Sequence, residues 1–145
     1  MNTLRALNRL GFLGSLAAAV IALATFSNAA LADEIKVTLG GDKEVPPVKT
    51  AASGSGTITI NSDMTVAGSV TTMGVAGTMA HIHQAAAGTN GPVIVPLTKS
   101  GDATWSVPAG AKLSDAQYRA YKAGELYVNV HSAENKGGEI RGQLK

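Results

Sequence analysis

The chain has three histidines, His81, His83 and His131, and the first two are separated by one residue. Side chains two apart in a strand share a face, so His81-Ile82-His83 sets two imidazoles side by side and turns Ala80 and Ile82 toward a core. Glu125 to His131 repeats the alternation, with Leu126, Val128 and Val130 on the apolar face and Tyr127, Asn129 and His131 on the other. Gly138 to Leu144 does so again, with Ile140 and Leu144 inward and Glu139, Arg141 and Gln143 outward. Neighbouring strands of this pattern bring the three imidazoles together. The expectation is a site on the outer surface of a sheet, open to solvent or a partner.

Neutral imidazole is a borderline nitrogen donor that suits copper, zinc, nickel or iron. With an ordinary pKa near 6.5 it is mostly neutral, and able to ligate, at pH 7. Met79 falls on the same face two residues before the pair; its thioether would favour Cu(I), or would merely cover an apolar patch. Glu44 and Glu139 are the carboxylates nearest this motif material, as a fourth ligand or as acceptors behind the ligands. The expected metal set is therefore His81, His83 and His131, with Met79, Glu44 and Glu139 as candidate additions. Copper is the expected ion and zinc its substitute. The competing account is three histidines that bond Asn129, Glu139 or backbone and hold no ion.

The elements that must position these residues read as short strands between glycines and prolines. Ile35, Val37 and Leu39 alternate with polar residues up to Gly40-Gly41. Gly54 to Ile60 and Thr65 to Thr72 form a hairpin pattern around Asn61-Ser62-Asp63. Thr78 to His83, Val93 to Leu97, Ala103 to Val107, Glu125 to His131 and Gly138 to Leu144 complete eight strand candidates. Glu44-Val45-Pro46-Pro47-Val48 is excluded from a central strand, because consecutive prolines lack the N–H donors of a ladder. One segment breaks the pattern: Ser114 as cap, Gln117 three residues on and Gly124 as stop mark a short helix, with Tyr118 and Tyr121 sealing one end. Trp105 reads as core. The fold class is all-β, an antiparallel Greek-key sandwich or small barrel with one short helix.

Arg5 and Arg9 precede an uncharged, mostly apolar run from Gly11 to Phe26, and Ala30-Leu31-Ala32 has the small-x-small form of a signal peptidase site. Residues 1–32 are thus read as a signal peptide and 33–145 as the mature domain. The alternative, a membrane anchor, is short of the roughly 20 apolar residues a helical span needs, so no stable anchor is expected after processing. Lys plus Arg total 12 and Asp plus Glu 10, and the two leader arginines account for the excess. A neutral mature domain without a basic run excludes nucleic acid as a natural partner. The sequence has no cysteine, which excludes disulfides and thiolate sites. The expected location is periplasmic or secreted.

Several motifs occur in a fixed order: Gly40-Gly41-Asp42-Lys43-Glu44-Val45-Pro46-Pro47-Val48, Ala80-His81-Ile82-His83, Ala87-Gly88-Thr89-Asn90-Gly91-Pro92-Val93, Leu126 to His131, and Gly138 to Leu144. Together they resemble the CHRD domain family, first described in chordin and common in exported bacterial proteins. The resemblance covers essentially the whole mature chain, and residues 33–145 are identified as one such domain. It implies an all-β immunoglobulin-like or superoxide-dismutase-like fold, with no settled general activity. Asn135-Lys136-Gly137 stands where the family often has proline.

Two functions follow. The first is an exported copper-binding protein that holds or transfers the ion through a three-histidine surface site. The second is a non-catalytic module of the cell envelope that binds a protein partner through an edge strand or the Gln84 to Pro92 loop. Whether an enzyme is present is left open: Gly54-Ser55-Gly56 lacks the lysine and helix of a phosphate loop, and Ser132, His131 and Asp115 form a triad only by composition. Exported protein is expected to begin at Asp33 by intact mass; full-length chain recovered from membranes would contradict the leader assignment.

Overall fold

The computed structural model describes residues 32–145; the proposed leader lies outside the described residues except for Ala32, which opens the first strand. Nine strands follow one another: β1 (Ala32–Gly40), β2 (Ser53–Asn61), β3 (Val66–Met73), β4 (Gly77–Gln84), β5 (Val93–Pro96), β6 (Thr98–Lys99), β7 (Thr104–Ser106), β8 (Leu126–Ser132) and β9 (Ile140–Gln143). A single 3-10 turn, Gly41–Lys43, follows β1, and one helix, α1 (Asp115–Lys122), lies between β7 and β8.

All pairings are antiparallel, in the order β5-β4-β8-β9-β1-β2-β3-β7-β6. The two ends of that order, β5 and β6, are separated in sequence by Leu97 alone. One extended segment therefore leaves one edge of the sheet and joins the other, and the expected all-antiparallel Greek-key architecture takes the form of a single sheet wrapped into a nearly closed barrel. Leu97 is buried at this crossing and its N–H donates to the Ala80 carbonyl at 2.9 Å. Pro96 just before it has no N–H to offer and sits on an edge, where none is required.

The alternation of apolar residues decides what fills the barrel. Ile35, Val37, Leu39, Ile58, Ile60, Val66, Val70, Ala80, Ile82, Leu126, Val128, Val130, Ile140 and Leu144 form one buried cluster with Trp105. The helix begins as its sequence dictates: Ser114 Oγ accepts from the Gln117 N–H at 3.2 Å and Gln117 Oε1 accepts from the Ser114 N–H at 2.8 Å. Tyr121 is buried, Tyr118 packs beside it, and the Tyr121 hydroxyl donates to Asp33 at 2.8 Å, tying the helix to the start of β1.

Strand β6 and the 3-10 turn have no counterpart among the expected elements, since two exposed residues and a three-residue turn leave no periodicity to read. The larger correction concerns exposure. Every residue of β8 is buried, including those on the face expected to be outer. The segment from Ala85 to Gly91 lies across that face, held by Arg141 on Asn90 Oδ1, Ala86 O and Thr89 O, and by Gln143 on Ala85 O.

Strand β9 approaches β1 so closely at Gly142 that a Cβ there would strike the Thr38 carbonyl oxygen and lie 2.6 Å from Val37 Cγ2. Gly142→Ala is expected to cost about 1–3 kcal/mol of stability in urea unfolding; a wild-type midpoint would contradict this packing.

Candidate metal centre

The antiparallel register of β4 and β8 pairs Met79 with His131, His81 with Asn129 and His83 with Tyr127. His131 is therefore diagonal to His81, one same-face step along β8, a separation that long side chains bridge. The inner faces of both strands are fixed in the core by Ala80, Ile82, Val128 and Val130. Neither strand can slip by one residue without exchanging core for site.

One donor nitrogen from each of His81, His83 and His131 lies within 4.8 Å of the others. Ring centroids are 5.5 Å apart for His81 and His83, 4.9 Å for His81 and His131, and 6.3 Å for His83 and His131. A tetrahedral ion with nitrogen ligands at about 2.0–2.1 Å needs donors roughly 3.3 Å apart. The cluster is capable of holding a metal ion, and its donors would have to draw together from their present spacing to do so.

Backbone carbonyls set the ring orientations. His83 Nδ1 is 2.9 Å from Gly91 O, and His131 Nδ1 is 2.8 Å from Lys136 O. A carbonyl only accepts, so both Nδ1 atoms carry the proton and both neutral rings present a bare Nε2. His131 Nε2 faces His81 Nδ1 at 3.0 Å, so His81 donates to it. His83 Nε2 is buried and has no hydrogen-bond partner. Leaving a buried acceptor unmatched costs about 1–3 kcal/mol, and an electron-pair acceptor such as a metal ion is what that atom lacks.

Tyr127 backs the site. Its ring stacks on His83 with centroids 4.7 Å apart and planes within 3°, and the Arg141 guanidinium lies 3.4 Å from the ring centroid. The Tyr127 hydroxyl accepts from the Gly91 N–H at 3.3 Å, holding the same residue whose carbonyl orients His83. Burial lowers the pKa of His81 and His83 and neighbouring imidazoles add to it, while at His83 the Gly91 carbonyl and Asn129 oppose the shift without reversing it. Both rings thus stay neutral to lower pH than a free histidine.

The remaining expected residues are placed as follows. Met79 is 49 % exposed, at the rim beside His131. Glu139 accepts from Thr50 Oγ1 at 2.7 Å and is not in the close group of donors. Glu44 is buried outside that group, against Gly138, where a Cβ would strike Glu44 Oε1 and come within 2.6 Å of Asn129 Nδ2. Gly138 has φ +129°, which a side chain would strain as well. The surface placement is corrected: His83 and His131 are buried and only His81 is partly accessible, because the Ala85 to Gly91 segment covers the face. The dismissal of Ser132, His131 and Asp115 as a triad agrees with His131 Nδ1 lying 2.8 Å from the Lys136 carbonyl. Alternation had put Tyr127, Asn129 and Arg141 on the histidine face; the two orienting carbonyls carry no side-chain signal.

Burial raises the Glu44 pKa from 4.5 to about 7, opposed by the nearby Arg141 charge. The folded protein then holds a proton that the unfolded chain has released across this interval, so stability falls as pH rises from about 4.5 to about 7. Glu44→Gln is expected to melt above the wild type at pH 8, with the gap closing toward pH 5; a difference independent of pH would contradict this reading.

Residues 35–144 match the family model described as the CHRD domain. No curated protein and no solved structure shows a significant match. The histidine cluster, the carbonyls that orient it and the segment that covers it all fall inside the matched residues, and the chain belongs to the CHRD domain family.

Proposed function

We propose that this protein is an exported metal-binding protein that holds or transfers one copper ion per chain through His81, His83 and His131. The observation that carries the reading is the buried, unpartnered Nε2 of His83, aimed by the Gly91 carbonyl beside two further imidazoles. Three neutral nitrogen donors without thiolate favour Cu(II), the tightest-bound divalent ion of its row, with zinc as the substitute. His83 and His131 would ligate through Nε2 while their Nδ1 protons stay on the backbone, which fixes ring direction and raises ligand basicity. His81 would give up its bond to His131 and turn a nitrogen to the ion. As the more accessible ring, it is the natural point of entry and exit.

Export is supported by the leader-like residues 1–32 and by the family. Among the described residues no helix is long and apolar enough to cross a membrane. Met79 at the rim is the proposed additional donor for Cu(I), with its soft thioether. Glu44 and Glu139 are proposed to act behind the ligands rather than on the ion.

In isothermal titration with Cu(II), one ion is expected per chain, and His83→Ala and His131→Ala are each expected to weaken binding by at least about tenfold, or about 1.4 kcal/mol. Met79→Leu should affect mainly Cu(I), titrated anaerobically. Because burial lowers the His81 and His83 pKa values, Cu(II) affinity should hold down to about pH 6.5 and decline below it as protons compete. Wild-type affinity and stoichiometry in all three histidine-to-alanine variants would overturn the site.

A further inference from the structure

A second site lies on the far side of Tyr127 from His83. Outward residues of β1 and β9, with the segments that follow β1 and β4, enclose a cleft of about 710 Å³, within the range of small-molecule pockets. Arg141 lines it and is only 1 % exposed.

The guanidinium of Arg141 is a buried charge without an ion-pair partner. Among the described residues the ion pair within 4.0 Å is Lys122 with Asp33, at 2.7 Å. Arg141 instead spends Nη1 and Nη2 on three neutral acceptors, Asn90 Oδ1, Ala86 O and Thr89 O, and leaves Nε uncommitted. The Tyr127 face compensates in part. Removing a full charge from water costs several kcal/mol unless an opposite charge meets it. Glu44 also lines the cleft, but it forms no ion pair with Arg141 within 4.0 Å, and its Oε1 is buried without a hydrogen-bond partner.

Basic residues outnumber acidic ones in the lining. Lys36, Lys43 and Lys145 join Arg141, against Asp42 and Glu44. Val45, Pro47 and Ala87 supply apolar wall between the charges. A short carbon skeleton carrying two oxyanions fits this pattern, one group at Arg141 and the other at the lysine rim.

We propose that this cleft binds a small organic anion bearing carboxylate or phosphate groups, with Arg141 as the buried anchor and Lys36 and Lys43 at the rim. The proposal does not rest on the metal reading, although Arg141 also pins the segment whose Gly91 carbonyl orients His83. It stands or falls on a protein free of added metal.

The test is amide NMR titration of the purified, metal-free protein with glutarate and, separately, glycerol phosphate, with sodium chloride at matched ionic strength as control. Saturable shifts are expected on β1, β9 and residues 42–47 and 87–88. Saturation by glutarate alone assigns a carboxylate ligand, and by glycerol phosphate alone a phosphate ligand. Lys36→Gln with Lys43→Gln, both at exposed positions, should lower affinity about tenfold while amide shifts in the core stay those of the wild type. Arg141→Lys, which keeps the charge and loses the fork, should weaken binding further. Shifts reproduced by sodium chloride, no saturation with either anion, or unchanged affinity in the double variant would overturn the proposal.

Discussion

Two backbone carbonyls, Gly91 O and Lys136 O, hold the Nδ1 protons of His83 and His131 and so decide where both Nε2 lone pairs point. Everything chemical about the centre depends on that restraint. Gly91 closes the segment that Arg141 and Gln143 pin to β9, and its N–H rests on the Tyr127 hydroxyl. Lys136 belongs to the turn between β8 and β9, which returns the chain to place Arg141. The loops that orient the ligands are thus held by side chains from the strands that carry the ligands or flank them.

This arrangement runs against the usual economy of a small β domain. An outer sheet face ordinarily meets water, and its polar residues cost nothing there. Here that face is covered, and His83 Nε2, Glu44 Oε1 and Asn129 Oδ1 are buried without partners. At about 1–3 kcal/mol each, three such atoms weigh heavily against a net stability of about 5–15 kcal/mol. The continuous apolar cluster inside the barrel carries that load. Ligands that match the orphaned atoms would relieve part of it, which is how unsatisfied groups come to mark function.

The period-two alternation makes the fold class and the shared histidine face legible in the sequence. It worked because Ile82, Val128 and Val130 have no alternative to the core, and their burial fixes the register that sets His81 diagonal to His131. The capping pair Ser114 and Gln117 was equally readable. Exposure was not: Gln84 to Pro92 reads as a loop, and nothing in its composition says that it folds down across β8. Nor does Arg141 announce its burial, since an outward arginine on a strand ordinarily reaches solvent. Carbonyl partners such as Gly91 O and Lys136 O are properties of chain path, invisible to residue type.

Long-range ¹H–¹⁵N NMR of the imidazole rings, before and after one equivalent of zinc, tests the central claim most directly. His83 and His131 should appear as Nδ1–H tautomers in the metal-free protein. On zinc addition their Nε2 resonances should move to metal-bound values while the Nδ1 protons remain. Nε2–H tautomers in the metal-free protein, or Nε2 resonances unmoved by zinc, would contradict the account.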